Sequence, residues 1–398
     1  MVLAPALASE HSSLSGAAVM PQIPSRFPRN DIITLTSAAV RFDLAESLGP
    51  DVRLGSLIDD GFTAELRDLV LGYGTTPGDA VLRGLIGARH GVSADDVVTT
   101  VGAMQALFLM AFVLAGPDTD VVIGRPVFPN ARSVLTAVQV NIAEMRLDFD
   151  DGYRLDVDRL GALLTPRTRL VSLASPQNPS GVALTEQELR GVLARMDRAC
   201  PDAFLLIDET YREAVHGDDH VRSSFVGLDS RVVSCASFSK CHGAPGIREG
   251  WVITRDAALR EQLELAKFNT TISNSVVDEA IAVRILQNLD GIMAGRRRHL
   301  AAGLELTAAF VAAHGDAIEW VRPDAGALCC VRLRRGVFDD RAVSRFYAEL
   351  GAREVRVGPG PWFGEEPRVF RLGFGVLTRG DLEQALDRVS QALRLAAA

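Results

Sequence analysis

Lysine is almost missing from this sequence. Of its 42 basic residues only Lys240 and Lys267 are lysines; the others are arginines. Any chemistry that needs a side-chain primary amine therefore has two possible addresses. The arginine excess reads as coding bias, and the arginines as a group carry no functional meaning. Cysteine is scarce as well. Cys200, Cys235, Cys241, Cys329 and Cys330 are odd in number and form no CxxC pair. That argues against a zinc site or a disulfide framework and for a reducing, cytoplasmic setting. The longest apolar run, Ala106 to Gly116, is too short to span a bilayer and suits a buried helix. The first 24 residues are rich in Ala and Ser, lack a basic n-region and contain Glu10 and His11. A loose tail is expected there, not a signal peptide. Basic charge is not in excess: the net charge is −8, which disfavours a phosphate-backbone partner. Neither nucleic acid nor a membrane is expected to bind. No internal repeat, P-loop, HExxH or GxSxG motif occurs.

What is present is an ordinary globular composition, 47% hydrophobic and 23% charged over 398 residues. The length allows about two to three domains, or one large α/β domain with a smaller companion. Short β-branched runs (Val97–Val101, Asp120–Ile123, Arg169–Ser175, Ala203–Asp208, Arg231–Ser237, Gly250–Thr254) alternate with helical patterns at Ala64–Leu71, Gln105–Ala115, Glu186–Cys200 and Ala257–Lys267. This alternation predicts an α/β fold: a large domain whose mostly parallel sheet is covered by helices on both faces. Ligands of such sheets sit beyond the carboxyl ends of the strands. Residues 273–315 read as one or two long helices. After them, short strands at Ala327–Arg332, Glu354–Val357 and Arg368–Phe374 and a closing helix from Thr378 predict a smaller α+β domain. The expected division is an N-terminal arm over 1–45, a large domain over 46–290 and a small domain over 291–398. The arm is expected to pack on the small domain or on a partner chain.

Four segments fall where strands should end. In Val101-Gly102-Ala103-Met104-Gln105 a strand meets a glycine and then an apolar helix, whose free N-terminal amides suit an anion. Ser175-Pro176-Gln177-Asn178-Pro179-Ser180-Gly181 is a stiff turn that presents the Asn178 amide. In Leu205-Leu206-Ile207-Asp208-Glu209-Thr210-Tyr211, a carboxylate ends a buried strand and needs a cation, a hydrogen-bonding partner or a capping role. The segment from Ser237 to Trp251 holds Lys240, with Ser237 and Ser239 before it and Arg248 after a Gly/Pro-rich turn. It offers an amine nucleophile beside donors for a phosphate. Lys267, at the end of a stretch with Arg260, Glu261 and Glu264, reads as a solvated or helix-capping lysine.

Taken together these segments resemble the class I/II aminotransferases, the fold-type I pyridoxal-phosphate (PLP) enzymes. Asn-Pro-x-Gly, Asp-x-x-Tyr and Ser-x-Ser-Lys-x-x-Gly-x-x-Gly-x-Arg-x-Gly occur in order between about Gly72 and Phe374. The resemblance implies that Lys240 forms the internal aldimine and later moves protons at the substrate α-carbon. It implies that Asp208 pairs with the pyridine nitrogen, while Asn178 and Tyr211 bond the ring 3-oxygen. Asn178 would also border the substrate. Phosphate would be held at the Gly102 turn by the Ala103 and Met104 amides, by Ser237 and by Arg248, with Ser239 assisting. Phe128 would stack on the ring, and Tyr73 would reach a phosphate across a homodimer interface. Arg371 would clamp the substrate α-carboxylate. The implied activity is transfer of an amino group between an α-amino acid and a 2-oxo acid.

Some positions depart from the pattern. Leu35 to Val40 lacks the glycine often found where the N-terminal segment closes over substrate, and Ala103-Met104 lacks a hydroxyl. Cys241 and His242 read as packing residues, and no metal is expected. Gly358 to Gly364 reads as a turn near the site mouth. Trp251, Trp362 and Phe363 are candidates for an apolar pocket. The same residues would also serve elimination, racemisation, decarboxylation or cyclisation. A PLP-binding regulatory module is a further alternative, disfavoured by the short N-terminal segment.

Overall fold

The computed structural model describes residues 25–37, 39–216 and 221–398; the expectation of a loose tail over the first 24 residues lies outside them. β-Branched and aliphatic runs build a seven-stranded sheet. Its order is Val97–Val101, Glu249–Ile253, Val232–Ser237, Phe204–Asp208, Thr168–Ala174, Asp120–Arg125, Asn141–Arg146. All strands point the same way except Glu249–Ile253, which is antiparallel to both neighbours.

Alternate residues of each strand face opposite layers. Leu205 and Ile207 pack with Leu189, Val192 and Met196 of the Glu186–Ala199 helix. Leu206 and Val233 pack with Leu107 and Met110 of the Gly102–Leu114 helix on the other face. Burial on both faces explains why these strands read as continuous apolar runs. Each fully buried aliphatic side chain contributes about 1.5–3 kcal/mol. A Thr185–Glu188 capping box fixes the start of the Glu186–Ala199 helix.

The second sheet is mixed, in the order Phe42–Leu44, Val355–Pro359, Val369–Gly373, Leu328–Leu333, Ile318–Val321. The helices Asp340–Ala352 and Arg379–Ala397 cover it through Phe346, Leu350, Leu386 and Val389. The arm enters this sheet: Phe42–Leu44 pairs in parallel with Val355–Val357.

Some elements differ from the sequence reading. The helix expected over Ala64–Leu71 spans Asp60–Asp68, because Asp59 caps it by accepting from the Phe62 amide. Strands at Asn141–Arg146 and Ile318–Val321 and helices at Ala80–His90, Pro129–Ala137 and Asp340–Ala352 are additional. Among the described residues, no helix is long and apolar enough to cross a membrane. Val101, Arg125, Ala174, Asp208 and Ser237 all end strands at one sheet edge, and Glu249 begins its antiparallel strand there. Arg371 lies mid-strand in the smaller sheet, opposite Cys330 and Gly358.

Candidate active site

The first part of the site is an uncapped helix. The helix Gly102–Leu114 starts directly after the Val97–Val101 strand, and Val101 supplies no capping side chain. Its first amides therefore remain donors for an anion. Gly102 has φ of 66°, a conformation that glycine adopts freely. A Cβ there would stand 2.6 Å from Arg248 Nη2, so the guanidinium lies over the turn. Arg248 donates from Nη1 to Ser239 Oγ at 3.3 Å, and the Ser239 amide donates to Ser237 Oγ at 3.3 Å. A cation, two hydroxyls and free helix amides thus converge, which is a donor set suited to a phosphate.

Lys240 stands beside it. Burial pushes its amine down to about 8; the Glu46 carboxylate opposes that shift, Arg371 adds to it, and Asp208 opposes it. Asp208 is half-buried and accepts from the Thr210 amide at 3.0 Å. This is a local turn, and no helix starts there, so the capping alternative does not hold; no ion pair reaches the carboxylate among the described residues. Burial raises its pKa. Such a carboxylate gains from a cationic N–H brought by a ligand. Tyr211 is buried and donates to Ser47 Oγ at 2.8 Å; burial raises its phenol pKa as well.

Arg371 is 2% exposed. It donates to Asn178 Oδ1 at 2.8 Å and to the Ala45 carbonyl, and the Phe363 ring lies 4.6 Å from its guanidinium carbon. Its buried Nε has no acceptor. An orphaned buried donor on a fixed guanidinium is suited to an incoming carboxylate. Asn178 is thus held from the smaller sheet. Gly358 and Pro359, expected in a turn, end the Val355–Pro359 strand, and only the short 3-10 turn Gly360–Phe363 follows, with Phe363 against Arg371.

One of the sequence-derived candidates stands apart from this group. Tyr73 is 86% exposed. Phe128 is partly buried against the large-sheet core and directly precedes the Pro129–Ala137 helix without a side-chain capping bond; the neighbouring Pro126 carbonyl accepts from Gln177 at 2.8 Å, which ties the two loops together. Trp251 is buried against His90, Phe238 and His242 and is therefore a core residue, not a pocket wall. Cys241 and His242 are buried in packing.

Three corrections concern Lys267 and residues missed in the sequence. Lys267 is not solvated: it is 0% exposed and donates to Thr99 Oγ1 at 3.1 Å. The N-terminal segment that borders Arg371 and Tyr211 is Ala45-Glu46-Ser47, not Leu35–Val40. Glu209 is buried and accepts from Ser224, from Ser234 and from the Phe225 amide, at 2.7, 2.7 and 2.9 Å. It anchors the loop that follows Asp208. Its sequence signal was the second carboxylate in Asp208-Glu209.

Residues 31–389 match the family model for aminotransferase class I and II, and the chain belongs to that family. Capreomycidine synthase of Streptomyces vinaceus is 30% identical over 345 residues, covering 83% of each chain. Arginine–pyruvate transaminase of Pseudomonas aeruginosa is 29% identical over 299 residues, 71% of this chain and 74% of its own. Among solved structures, a PLP-dependent aminotransferase from Streptococcus suis superposes with a TM-score of 0.85 at 21% identity, covering 93% and 99% of the two chains. The PLP-dependent cyclase OrfR gives 0.81 at 25% identity, covering 95% and 100%. The fold is that of the fold-type I PLP enzymes, and pyridoxal 5′-phosphate is the cofactor. The uncapped helix with Arg248, the half-buried Asp208 and the Lys240 amine fit its phosphate, its ring nitrogen and its aldehyde.

Proposed function

We propose that this protein is an aminotransferase that moves an amino group from an α-amino acid to a 2-oxo acid. The observation that carries the reading is a single side-chain amine, Lys240, set among Asp208, Arg248 and Arg371. When bound, PLP supplies an electron sink conjugated to the substrate α-carbon. Asp208 would keep the ring nitrogen protonated, and Asn178 and Tyr211 would bond the ring 3-oxygen. Ser237, Arg248 and the Gly102, Ala103 and Met104 turn take the phosphate. Phe128 covers a ring face. Arg371 orients the substrate through its carboxylate, using the free Nε and one Nη. Lys240 would hold the cofactor through Nζ, and the same Nζ would take the substrate α-proton and return it. Its lowered pKa leaves a usable fraction neutral near pH 8.

The protein acts as a homodimer in this reading. Val70, Leu71 and Tyr73 are 81%, 78% and 86% exposed, a cost that a partner chain would relieve. Tyr73 then completes the phosphate site across the interface. A cationic substrate side chain is favoured, because the half-buried Glu46 carboxylate, which acts on Lys240 and Arg371, sets a negative charge at the border of the site. An arginine-acting relative points the same way.

Reductive trapping with borohydride tests the reading: cofactor must become linked to Lys240, and Lys240→Ala must lose turnover. Cofactor linked elsewhere, or full activity in the variant, ends it. A second reading, cyclisation of an amino acid, is favoured by the cyclase and synthase relatives. A single turnover separates the two: transamination accumulates pyridoxamine phosphate stoichiometrically, and cyclisation does not. A panel of basic, acidic and apolar amino acids then tests the side-chain preference.

A further inference from the structure

Lys267 lies in a buried polar cluster that the reaction does not use. Its Nζ donates to Thr99 Oγ1 at 3.1 Å, and Thr99 donates to Glu279 Oε1 at 3.0 Å. The same oxygen accepts from the Asp79 amide at 3.1 Å, and the Thr99 amide donates to the Pro77 carbonyl at 2.9 Å. These bonds tie down the end of the Gly72–Asp79 loop, which carries Tyr73. On the other side, Asn274 Nδ2 donates to Glu249 Oε2 at 2.8 Å. Glu249 follows Arg248 and pairs across the sheet with Val101, the residue before the Gly102 turn.

A third connection leaves from the Lys267 carbonyl, which accepts from the Thr271 amide at 2.8 Å. Thr271 Oγ1 accepts from Gln105 Nε2 at 3.0 Å, and Gln105 Oε1 accepts from the Val101 amide at 2.8 Å. The Lys267 end of its helix is therefore bonded to the first turn of the uncapped helix. Thr99, Lys267, Glu249, Asn274 and Glu279 are all buried. Burying a lysine and two carboxylates is unfavourable unless each is paired, so the arrangement needs a return that packing alone does not give.

We propose that Lys267, Thr99, Glu279, Glu249 and Asn274 are positioning residues that hold the Gly102–Met104 turn of this chain's phosphate site in fixed relation to the Tyr73 loop, which serves the partner subunit's site. The proposal rests on the reading of that turn as the phosphate site, and it is independent of which reaction follows. The charge state is consistent with it. Burial pushes Glu249 up to about 9, and it pushes Lys267 down to about 8. At neutral pH the lysine is charged and faces Glu279, while Glu249 carries a proton. Asn274 Oδ1 is a buried acceptor without a donor. The other charges that act on the cluster are Glu264, Arg83, Asp278 and Asp79.

The test is titration of the full-length apoenzyme with PLP and with pyridoxal, which lacks the phosphate, followed by cofactor fluorescence. Lys267→Met is expected to weaken PLP binding about tenfold, the equivalent of one charged hydrogen bond. Its affinity for pyridoxal stays at the wild-type level. Thr99→Val removes the bridging hydroxyl in a similar shape and is the second variant, expected to give the same phosphate-selective loss; it decides the matter if Lys267→Met does not fold. Unchanged PLP affinity overturns the proposal. So does an equal loss for both ligands, which is what a purely structural role would give. If wild-type protein bound PLP no better than pyridoxal, the reading of the turn as the phosphate site would fail instead.

Discussion

Arg371 donates to Asn178 Oδ1 across 2.8 Å, joining a mid-strand residue of the smaller sheet to the Asn-Pro turn at the edge of the larger one. The bond aligns the residue assigned to the substrate carboxylate with one assigned to the cofactor ring. Arg371→Lys keeps the charge but loses the planar fork. Losing a charged hydrogen bond of about 1.5–3 kcal/mol predicts a roughly ten- to hundredfold fall in kcat/KM, mostly through KM. Steady-state kinetics across amino acid concentrations check this; a change confined to kcat contradicts the carboxylate role.

The pKa of Lys240 sets a second expectation. In the apoenzyme its amine, lowered mainly by burial, titrates at about 8. The rate of PLP capture should therefore climb with pH and level off above that value, because only the neutral amine attacks. Glu46→Gln removes a carboxylate that favours the charged form, so the midpoint should move lower. Stopped-flow absorbance reads both. A midpoint that rises in the variant would contradict the placement of Glu46.

Gly250 sets a steric expectation. A Cβ there would meet the Gly102 carbonyl carbon at 2.6 Å, the Ala103 amide nitrogen at 2.7 Å and the Ala236 carbonyl at 2.8 Å. All are backbone atoms and cannot yield by a rotamer change. Gly250→Ala should displace the phosphate turn and weaken PLP binding by about tenfold or more, with overpacking of about 1–3 kcal/mol in stability. PLP titration and thermal melts of the apoenzyme measure the two effects. Wild-type affinity in the variant would show that the turn does not hold the cofactor.

Glu249 gives a pH expectation for stability. Its folded pKa of about 9 lies above the ordinary 4.5, so the folded state binds the proton more tightly. Its contribution is complete below about 4.5 and is lost as pH rises towards 9. Lys267 and Lys240, lowered from 10.5 to about 8, act oppositely, adding stability from about 8 to 10.5. Glu249→Gln imitates the protonated carboxyl. Relative to the variant, the wild-type apoenzyme should lose stability steadily between pH 5 and pH 9 in denaturant titrations. Parallel curves would refute a raised Glu249 pKa.

Six of the seven strands of the large sheet are readable because each is an apolar, largely β-branched run closed by turn residues, and the motif residues lie at their ends; Asn141–Arg146, with Glu144 and Arg146 among its residues, carries no such signal. Antiparallel Glu249–Ile253 could not be told from its parallel neighbours, since burial on both faces erases the difference in pattern. Lys267 was misread because Arg260, Glu261 and Glu264 suggest a solvated helix. Yet Leu259, Leu263 and Lys267, four residues apart, share the buried face. That spacing was the available signal, and the lysine's charge hid it. Ala45-Glu46-Ser47 reach the site only through pairing in the smaller sheet, a long-range contact that no local pattern records. Tyr73 is isolated within the chain, and its assignment still comes from the family resemblance.

The two lysines leave a practical mark on the outside of the molecule. Lys267 is sealed in the interior, and Lys240 is half-buried in the site. Apart from Lys240, no lysine ε-amine is therefore offered to a glutaraldehyde bridge, an activated-ester dye or an amine-coupling resin. A reagent of that kind meets Lys240 or no lysine at all. Acylation at lysine therefore becomes a gauge of occupancy: it should proceed in the empty enzyme and stop once cofactor has claimed the amine.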